Sequence, residues 1–551
     1  MLNCSRPIHP NRMDSLYDLL IVGGGINGAG IARDAAGRGL SVQLVEQGDI
    51  GGATSSSSSK MIHGGLRYLE HYEFRLVSEA LAEREVMLRI APHLARPLSI
   101  VMPHVPSLRP AWMIRLGLIL YDTLGRLRER SIRTMLPASA TVDLRRSPLG
   151  ATLNYSCTRG FVYSDVSDDD ARLTLATALS ASELGAKIDT RTRCIEAWRK
   201  DGLWHVILEC EGVQREVRTR ALVNAAGPWV AEFLNGPLAK SQPTSQPNNT
   251  DRPRPGVQLI RGSHIVVPKF YEGEHGYLLQ NDDRRVVFVL PFEEYFALIG
   301  TTEIKVAASE ASRAPVATPE EIAYLCRAVS RFCRHPVTPE SVVWRYSGLR
   351  PLYDDGHSDP ADITRDYVFV LDSDAGTNSS GKDSAPLLSV FGGKLTTHRR
   401  LAEAALEKLS PWFPQMRGSW TATQALPGGD FKDFAALHAE LCRCHPQLPA
   451  DWLRRLARRH GSRAERVLTK ACTLADLGED FGGGLHEREV EYFITAEWAC
   501  SAEDILWRRG KFGLHMTAQQ REGFGRWLER RWIGQEAVCT EPASTRDGVR
   551  Q

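Results

Sequence analysis

The stretch Asp18–Glu46 reads DLLIVGGGINGAGIARDAAGRGLSVQLVE. Leu19, Leu20, Ile21 and Val22 form a short unbroken apolar run, the pattern of a buried parallel strand. Gly23, Gly25 and Gly28 follow at G-x-G-x-x-G spacing. A helical pattern comes next, with Ile31, Ala32, Ala35 and Ala36 on one side. A second strand, Ser41–Val45, ends on Glu46. Together these are the βαβ fingerprint of a dinucleotide site. Gly23 permits the tight turn, Gly25 lets a pyrophosphate approach the backbone, and Gly28 lets helix and strand pack closely. With Gly24, Ile26 and Asn27 they form a turn whose free N–H groups, at a helix N-terminus, suit an anion. Glu46, eighteen residues after Gly28, is placed to accept hydrogen bonds from an adenosine ribose. An acid there fits NAD or FAD and disfavours NADP, whose 2′-phosphate it would repel.

The chain around this stretch has 551 residues, enough for two to four domains. Its 42% hydrophobic and 24% charged residues are those of a globular protein. A net charge of +2 gives no nucleic-acid footprint. The eleven cysteines are scattered, without C-x-x-C pairs or a secretory signal, and suit free thiols in a reducing cytoplasm. No apolar run reaches the roughly 18 residues of a membrane span. The polar start, residues 1–14, is expected to be disordered, and Met13 could be the true start.

After Glu46 comes a run of five serines, Ser55–Ser59, bracketed by Thr54 and Lys60 and followed by His63, Arg67 and Tyr68. A serine run usually marks a linker. This density of functional groups, between a strand and a helical pattern over Glu73–Ile90, reads instead as a loop passing the cofactor. The acidic cluster DVSDDD ahead of the helical pattern Ala171–Leu184 reads as capping and dipole partners, and no metal site is expected. Strands are predicted near Arg191–Trp198 and Trp204–Glu209, and Ala221–Trp229 reads as a strand entering a turn. Asn235–Gly256 and Asp372–Ser384 read as surface insertions. Between them lie β-rich segments and a helical pattern over Thr318–Cys333. Leu387–Phe391 is a strand, GGKLTT (392–397) a glycine turn, and Thr397–Leu409 a helix. From about Pro411 the chain reads as helical, with no second fingerprint and no internal repeat.

A flavin site for hydride transfer must stack the substrate on the flavin, remove the alcohol proton and stabilise the anionic reduced ring. The strand–glycine–helix form of GGKLTT points N–H groups and Lys394 at one spot, which suits the third task.

The runs GGGINGAGIARDAAGRGLSV, ATSSSSSKMIHGGLRYLEHYEFRLVSEALAERE, VNAAGPWV, GSHIVVP, RYSGLRPL, ITRDY, SVFGGKLTTHRRLAE and ADLGEDFG resemble the FAD-dependent glycerol-3-phosphate dehydrogenase family, over about residues 16–527. The departures are the N-terminal extension, the two longer insertions and the uniform serine run. The resemblance implies FAD as cofactor, lying on Gly23–Gly28 with Glu46 on its ribose. It puts Thr54, Ser55, Ser59 and Lys60 beside the flavin, and Arg193 and Cys194 beside the adenine. Ala226, Gly227, Trp229, Gly393, Lys394, Leu395 and Thr396 would close around the cofactor. It implies a substrate site of His63, Arg67, Tyr68, His264, Arg350, Arg365 and Lys394. The implied chemistry is oxidation of glycerol 3-phosphate at C2 to dihydroxyacetone phosphate, with electrons passed to ubiquinone or menaquinone. An oxidase making hydrogen peroxide and a non-catalytic flavin-binding module are the competing readings.

The residue types suit that substrate. A phosphomonoester carries up to two negative charges, and arginine forks match its oxygens. Arg67, Arg350, Arg365 and Lys394 supply the positive charge. His264 and His63 compete as base, with Arg350 and Lys394 as further catalytic candidates. Tyr68 serves packing or substrate.

The expected architecture is α/β: a discontinuous Rossmann-type FAD-binding domain (16–95, 150–234 and 345–409), a β-rich substrate cap (96–149 and 235–344) and a helical C-terminal domain (410–535), with a disordered tail at 536–551. Residues 109–130 read RPAWMIRLGLILYDTLGRLRER. On a helical wheel Arg115, Asp122, Arg126 and Glu129 share a narrow face. Met113, Leu116, Leu120, Leu124 and Leu127 lie opposite, with Ile114 and Tyr121 at the margin. Such a helix is either core under the cap or lies in a membrane interface. The family resemblance favours peripheral docking on the inner face of the cell membrane, and a homodimer is allowed.

Overall fold

The computed structural model describes residues 16–127, 135–239, 256–283, 285–312, 315–354, 366–373 and 385–539, and of Arg67, His71, Arg126, Leu127 and residues 532–539 it describes the backbone only. The expected N-terminal tail and most of both insertions fall outside this set. The last helix runs Ala518–Cys539, so residues 536–539, read as tail, are helical.

Strand β1 (Leu16–Val22), helix α1 (Ile26–Gly37) and strand β2 (Val42–Val45) form the opening unit. β1 pairs in parallel with β2 in the register Leu19↔Val42 to Val22↔Val45. On its other side β1 pairs in parallel with Val213–Asn224, and that strand with Leu387–Phe391. Lys187–Asp189 extends the sheet beyond β2, Val368–Asp372 closes the far edge antiparallel, and the hairpin Thr192–Lys200/Leu203–Cys210 branches from it. A parallel sheet needs both faces covered, which explains the apolar runs that lack alternation.

α1 is buried almost all round, from Gly28 to Ala36. The one-sided pattern read from its sequence understates this. Ala29, Ala32, Ala35 and Ala36 share one core with helix α4 (Asp170–Glu183) and with the helix His398–Leu409. Small residues let these helices approach. A Cβ at Gly37 would lie 2.0 Å from the Trp420 ring. Even the charged pair of the helix, Asp34 and Arg38, is buried, joined at 2.8 Å.

A second sheet of ten strands forms the cap. Its centre is Gly256–Pro268, paired antiparallel with Trp344–Asp354 along its length. Met61–Ile62, Arg159–Ser167 and Trp344–Asp354 belong to this sheet, although the expected boundaries put them in the FAD-binding domain. Apolar alternation shows that a strand exists, not which sheet it joins.

Helix α2 (Phe74–Ile90) lies under the cap, and α3 (Ala111–Leu127) packs against it. In α3 the core-facing residues are Ile114, Leu118 and Tyr121, so Ile114 and Tyr121 are central to the packing rather than marginal. The Tyr121 hydroxyl donates to Asp165 Oδ1 at 2.7 Å and accepts from Gly64 N–H at 2.9 Å. The polar face grips the protein too: Arg115 donates to Ser139 Oγ at 2.8 Å, and Asp122 accepts from the Ser139 hydroxyl at 2.6 Å. Leu124 is partly buried against the same core. Trp112, Met113, Leu116 and Ile119 remain exposed. The segment is core on one stripe and carries an exposed apolar face on another.

The C-terminal helices, among them Phe434–Cys444, Ala450–His460, Glu487–Glu497 and Ala518–Cys539, build their own cores. Buried charge pairs tie them to the rest: Arg172 to Glu497 at 2.5 Å, and Arg509 to Asp49 at 2.5 Å.

Candidate active site

The glycine turn shows why this sequence makes a cradle. Gly23 has φ +112°, a region closed to most side chains. A Cβ at Gly28 would stand 1.9 Å from the Gly23 carbonyl oxygen. Gly25 is the N-cap of α1 and supplies no side-chain cap, and the first turn carries no acid. Ser55 Oγ accepts from Ile26 N–H at 2.9 Å, so the serine loop is pinned to the turn.

Glu46 sits across from it. Its two oxygens accept from Gly24 N–H and Gly48 N–H, each at 2.7 Å. Burial raises the Glu46 pKa, and the two N–H groups work against that rise. The fingerprint turn and Glu46 open on one cavity of about 910 Å³, at the upper end of the usual size for ligand sites. A cradle that only glycine fits, an uncapped helix start and an acid held at the end of β2 suit the pyrophosphate and ribose of a dinucleotide.

The structure brings most of the expected cofactor residues to this cavity. Gly23, Gly25, Ile26, Asn27 and Glu46 line it at one end, with Thr54, Ser55 and Ser59 along the side. Arg193, Cys194, Ala226, Gly227 and Trp229 form another wall. Burial pushes the Cys194 thiol up to about 12, which keeps it an unreactive packing group. Gly393, Lys394, Leu395 and Thr396 also line it, and the Asn27 amide donates to the neighbouring Gly392 carbonyl oxygen at 3.1 Å. Gly24 and Gly28 shape the turn from behind. Lys60 does not reach the cavity: its ammonium is buried against Asp170 Oδ1 at 2.7 Å and the Ser56 carbonyl at 3.0 Å. Asp170 also accepts from Ser58 N–H, so this acid of the DVSDDD cluster holds the serine loop. Its neighbour Asp169 is the helix cap, accepting from Arg172 N–H.

At the far end His63, Tyr68, His264, Arg350 and Lys394 meet in the same cavity. The ring of His264 stacks on Tyr346 at 4.8 Å and 13°, and its Nε2 lies 2.9 Å from Ser59 Oγ. Its Nδ1 is buried with no hydrogen-bond partner. Lys394 Nζ sits 3.8 Å from the centre of the Tyr68 ring. Arg350 reaches Glu303 Oε1 at 3.3 Å and Thr301 Oγ1 at 3.5 Å. Burial, then the charges of Lys394 and Arg350, lower the pKa of His63 to about 4. Burial, then Arg350 and Lys60, hold His264 well below the usual histidine range. Both shifts favour the neutral ring. Arg67 lies on the turn Leu66–His71, which carries Tyr68. Its side chain and all of Arg365 are outside the described set.

Sequence reasoning missed several wall residues. Glu303 and Thr301 sat in a stretch read only as β-rich. Asp49, Arg191, Ser501, Asp504 and Arg508 also line the cavity, and nothing in the spacing of residues over 450 positions apart could have shown that Arg508 meets Asp49.

Residues 18–399 match the family described as FAD dependent oxidoreductase, and residues 419–523 the C-terminal domain of alpha-glycerophosphate oxidase. A glycerol-3-phosphate dehydrogenase of Pseudomonas aeruginosa is 50% identical over 524 residues, covering 93% of this chain and 95% of its own. A D-erythritol 1-phosphate dehydrogenase of Brucella abortus is 47% identical over 517 residues, covering 93% and 97%. Among solved structures, the glycerol-3-phosphate dehydrogenase from Bacillus halodurans complexed with FAD aligns with a TM-score of 0.71 at 25% identity, covering 96% of this chain and 92% of that one.

Proposed function

Because this chain belongs to the FAD-dependent glycerol-3-phosphate dehydrogenase family, we propose that it oxidises sn-glycerol 3-phosphate at C2 to dihydroxyacetone phosphate and passes the electrons to a membrane quinone. The observation that carries this reading is the joining of a dinucleotide cradle and a cationic pocket in one cavity. When bound, FAD supplies the acceptor for the C2 hydrogen and its electron pair. Arg350 and Lys394, with Arg67 and Arg365 from the resemblance, hold the phosphate. Arginine forks match its oxygens, and the low-dielectric walls strengthen each contact. Tyr68 packs on Lys394 and fixes its aim. The hydroxyl proton goes to a neutral imidazole. His63 and His264 both qualify: burial first and the nearby cations second keep their pKa values low, and a bound phosphate dianion would offset the cations' share. Lys394, on the glycine turn, would also offset negative charge on the reduced ring of a bound flavin.

No helix among the described residues is long and apolar enough to cross a membrane. The outward face of α3, with Trp112 69% and Leu116 58% exposed, suits peripheral docking at the inner face of the cell membrane. Docking there would let a lipid-soluble acceptor meet the flavin. A homodimer is compatible with this arrangement.

A four-carbon polyol phosphate is the second reading, carried by the D-erythritol 1-phosphate dehydrogenase of nearly equal identity. The test is steady-state turnover of both substrates with a soluble quinone and with oxygen. Preferred turnover of glycerol 3-phosphate with quinone, dihydroxyacetone phosphate as product and little peroxide support the proposal. A preference for the four-carbon substrate would shift the assignment to the second reading, and stoichiometric peroxide would make the enzyme an oxidase.

A further inference from the structure

The end of the cavity beside Glu46 is not built by the FAD-binding domain alone. Ser501, Asp504 and Arg508, from the C-terminal domain, line it next to Asp49 and Arg191. The contacts are specific. Arg508 donates to Asp49 Oδ2 at 2.6 Å and to Asp504 Oδ1 at 2.5 Å. Arg509 forks onto both oxygens of Asp49, at 2.5 and 2.8 Å. Arg191, just beyond the strand that flanks β2, donates to Asp504 Oδ2 at 2.5 Å. Burial alone would raise the Asp49 pKa, but Arg509 and Arg508 outweigh it and hold the carboxyl below its usual range.

Asp49 lies three residues after Glu46, so these pairs clamp the segment that carries the ribose-facing acid. Arg508 and Arg509 follow one another in a short π-helical turn, Asp504–Arg509, a rare conformation frequent at functional sites. A second observation points to a ligand. The other terminal nitrogen of Arg191, Nη1, is buried and stands 4.0 Å from Asp49 Oδ1 without a hydrogen-bond partner, although Arg191 lines the cavity. A buried donor left without an acceptor costs free energy unless something completes it.

We propose that the helical C-terminal domain is part of the cofactor site. It closes the adenosine end of the cavity through Arg508 and Asp504, and Arg191 gives its spare donor to the adenosine moiety. Tight retention of FAD then requires the domain to be docked, and by linkage bound FAD stabilises the docking. This rests on the placement of the adenosine ribose at Glu46.

The test uses the full chain, stripped of flavin and titrated with FAD or with FMN, which lacks the adenosine half, while flavin fluorescence is followed. Arg508→Ala should weaken FAD at least tenfold and leave FMN within twofold of wild type. Arg191→Leu should show the same pattern, less strongly. Arg526→Ala, an exposed arginine paired with Glu522 at 2.6 Å, should change neither. If Arg508→Ala does not fold, Arg508→Lys decides, since it keeps the charge and loses the fork. FAD affinity within twofold of wild type, or equal weakening of FAD and FMN, would overturn the proposal. Glu46→Ala separates the two layers. If it weakens FAD alone while the Arg508 variants bind normally, only the role of the C-terminal domain fails. If it changes nothing, the placement of the adenosine end fails, and the proposal with it.

Discussion

The two ends of the cavity are made in opposite ways. The end beside Glu46, where we place the adenosine, starts from one contiguous stretch, residues 18–46, and is braced from outside it by paired charges: Asp49 with Arg508 and Arg509, Asp504 with Arg191 and Arg508. The substrate end draws His63, His264, Arg350 and Lys394 from four distant parts of the chain, with Glu303 as the acid beside Arg350. Lys394 and Arg350 bring positive charge there, and burial first, then these two cations, lower the His63 pKa to about 4. A neutralised, cross-braced end suits a ligand that stays. An end that presents cations suits an anion that comes and goes.

Variants at the two ends should therefore separate. The largest effect is expected for Gly28→Val, whose Cβ would meet the Gly23 carbonyl oxygen. Protein isolated with that change should carry no flavin by absorbance, and normal flavin content would break the account of the adenosine end. Next, Lys394→Ala and Arg350→Ala should keep FAD but lose about 2–5 kcal/mol in kcat/KM for glycerol 3-phosphate, the usual loss for a buried charge-assisted contact. Flavin loss with unchanged kcat/KM of the remaining holoenzyme would mean that these residues serve the cofactor instead.

A smaller effect is expected at His63. Its pKa is near 4 when folded and 6.5 when unfolded, so between these values the unfolded chain binds more protons. Stability from this group is complete above pH 6.5 and is lost as the pH falls towards 4. Removing Lys394 takes away one cause of the depression, and the His63 ring should then titrate higher by NMR. An unmoved titration would show that Lys394 has no part in it. The smallest effect on chemistry is expected from Leu116→Glu with Ile119→Glu on the outer face of α3. Vesicle co-sedimentation and quinone reduction should fall together, and dye reduction should persist. Leu124 is unsuited to this test because it packs into the core. Equal loss of dye and quinone activity would mean that the face is structural.

What was legible in the sequence follows the same division. The adenosine end was readable because a close backbone approach forces glycine at fixed spacing, and β1, α1 and β2 are neighbours in the chain. Apart from Lys394, singled out by its glycine turn, residues of the substrate end were assigned to it through the family runs, since spacing carries no trace of contacts such as His264 with Ser59 or Lys394 with Tyr68. The Lys60 ammonium neutralises Asp170 beneath the serine loop, a pairing across 110 positions that the loop's own sequence does not show. In α3 the wheel located the apolar and polar stripes, but the protein grips the polar one through Ser139. The sheet membership of Arg159–Ser167 and Trp344–Asp354, and the reach of Arg508 to Asp49, depend on long-range packing that no local pattern encodes.

The central claim is that the cationic end of the cavity delivers glycerol 3-phosphate to FAD for oxidation. Anaerobic stopped-flow mixing of the holoenzyme with glycerol 3-phosphate tests it most directly. The flavin absorbance should bleach in a fast, saturable phase, and in Lys394→Ala the bleaching should be slower and need far more substrate. A flavin that stays oxidised in the wild-type protein, or one that Lys394→Ala reduces at the wild-type rate and concentration, would contradict the claim.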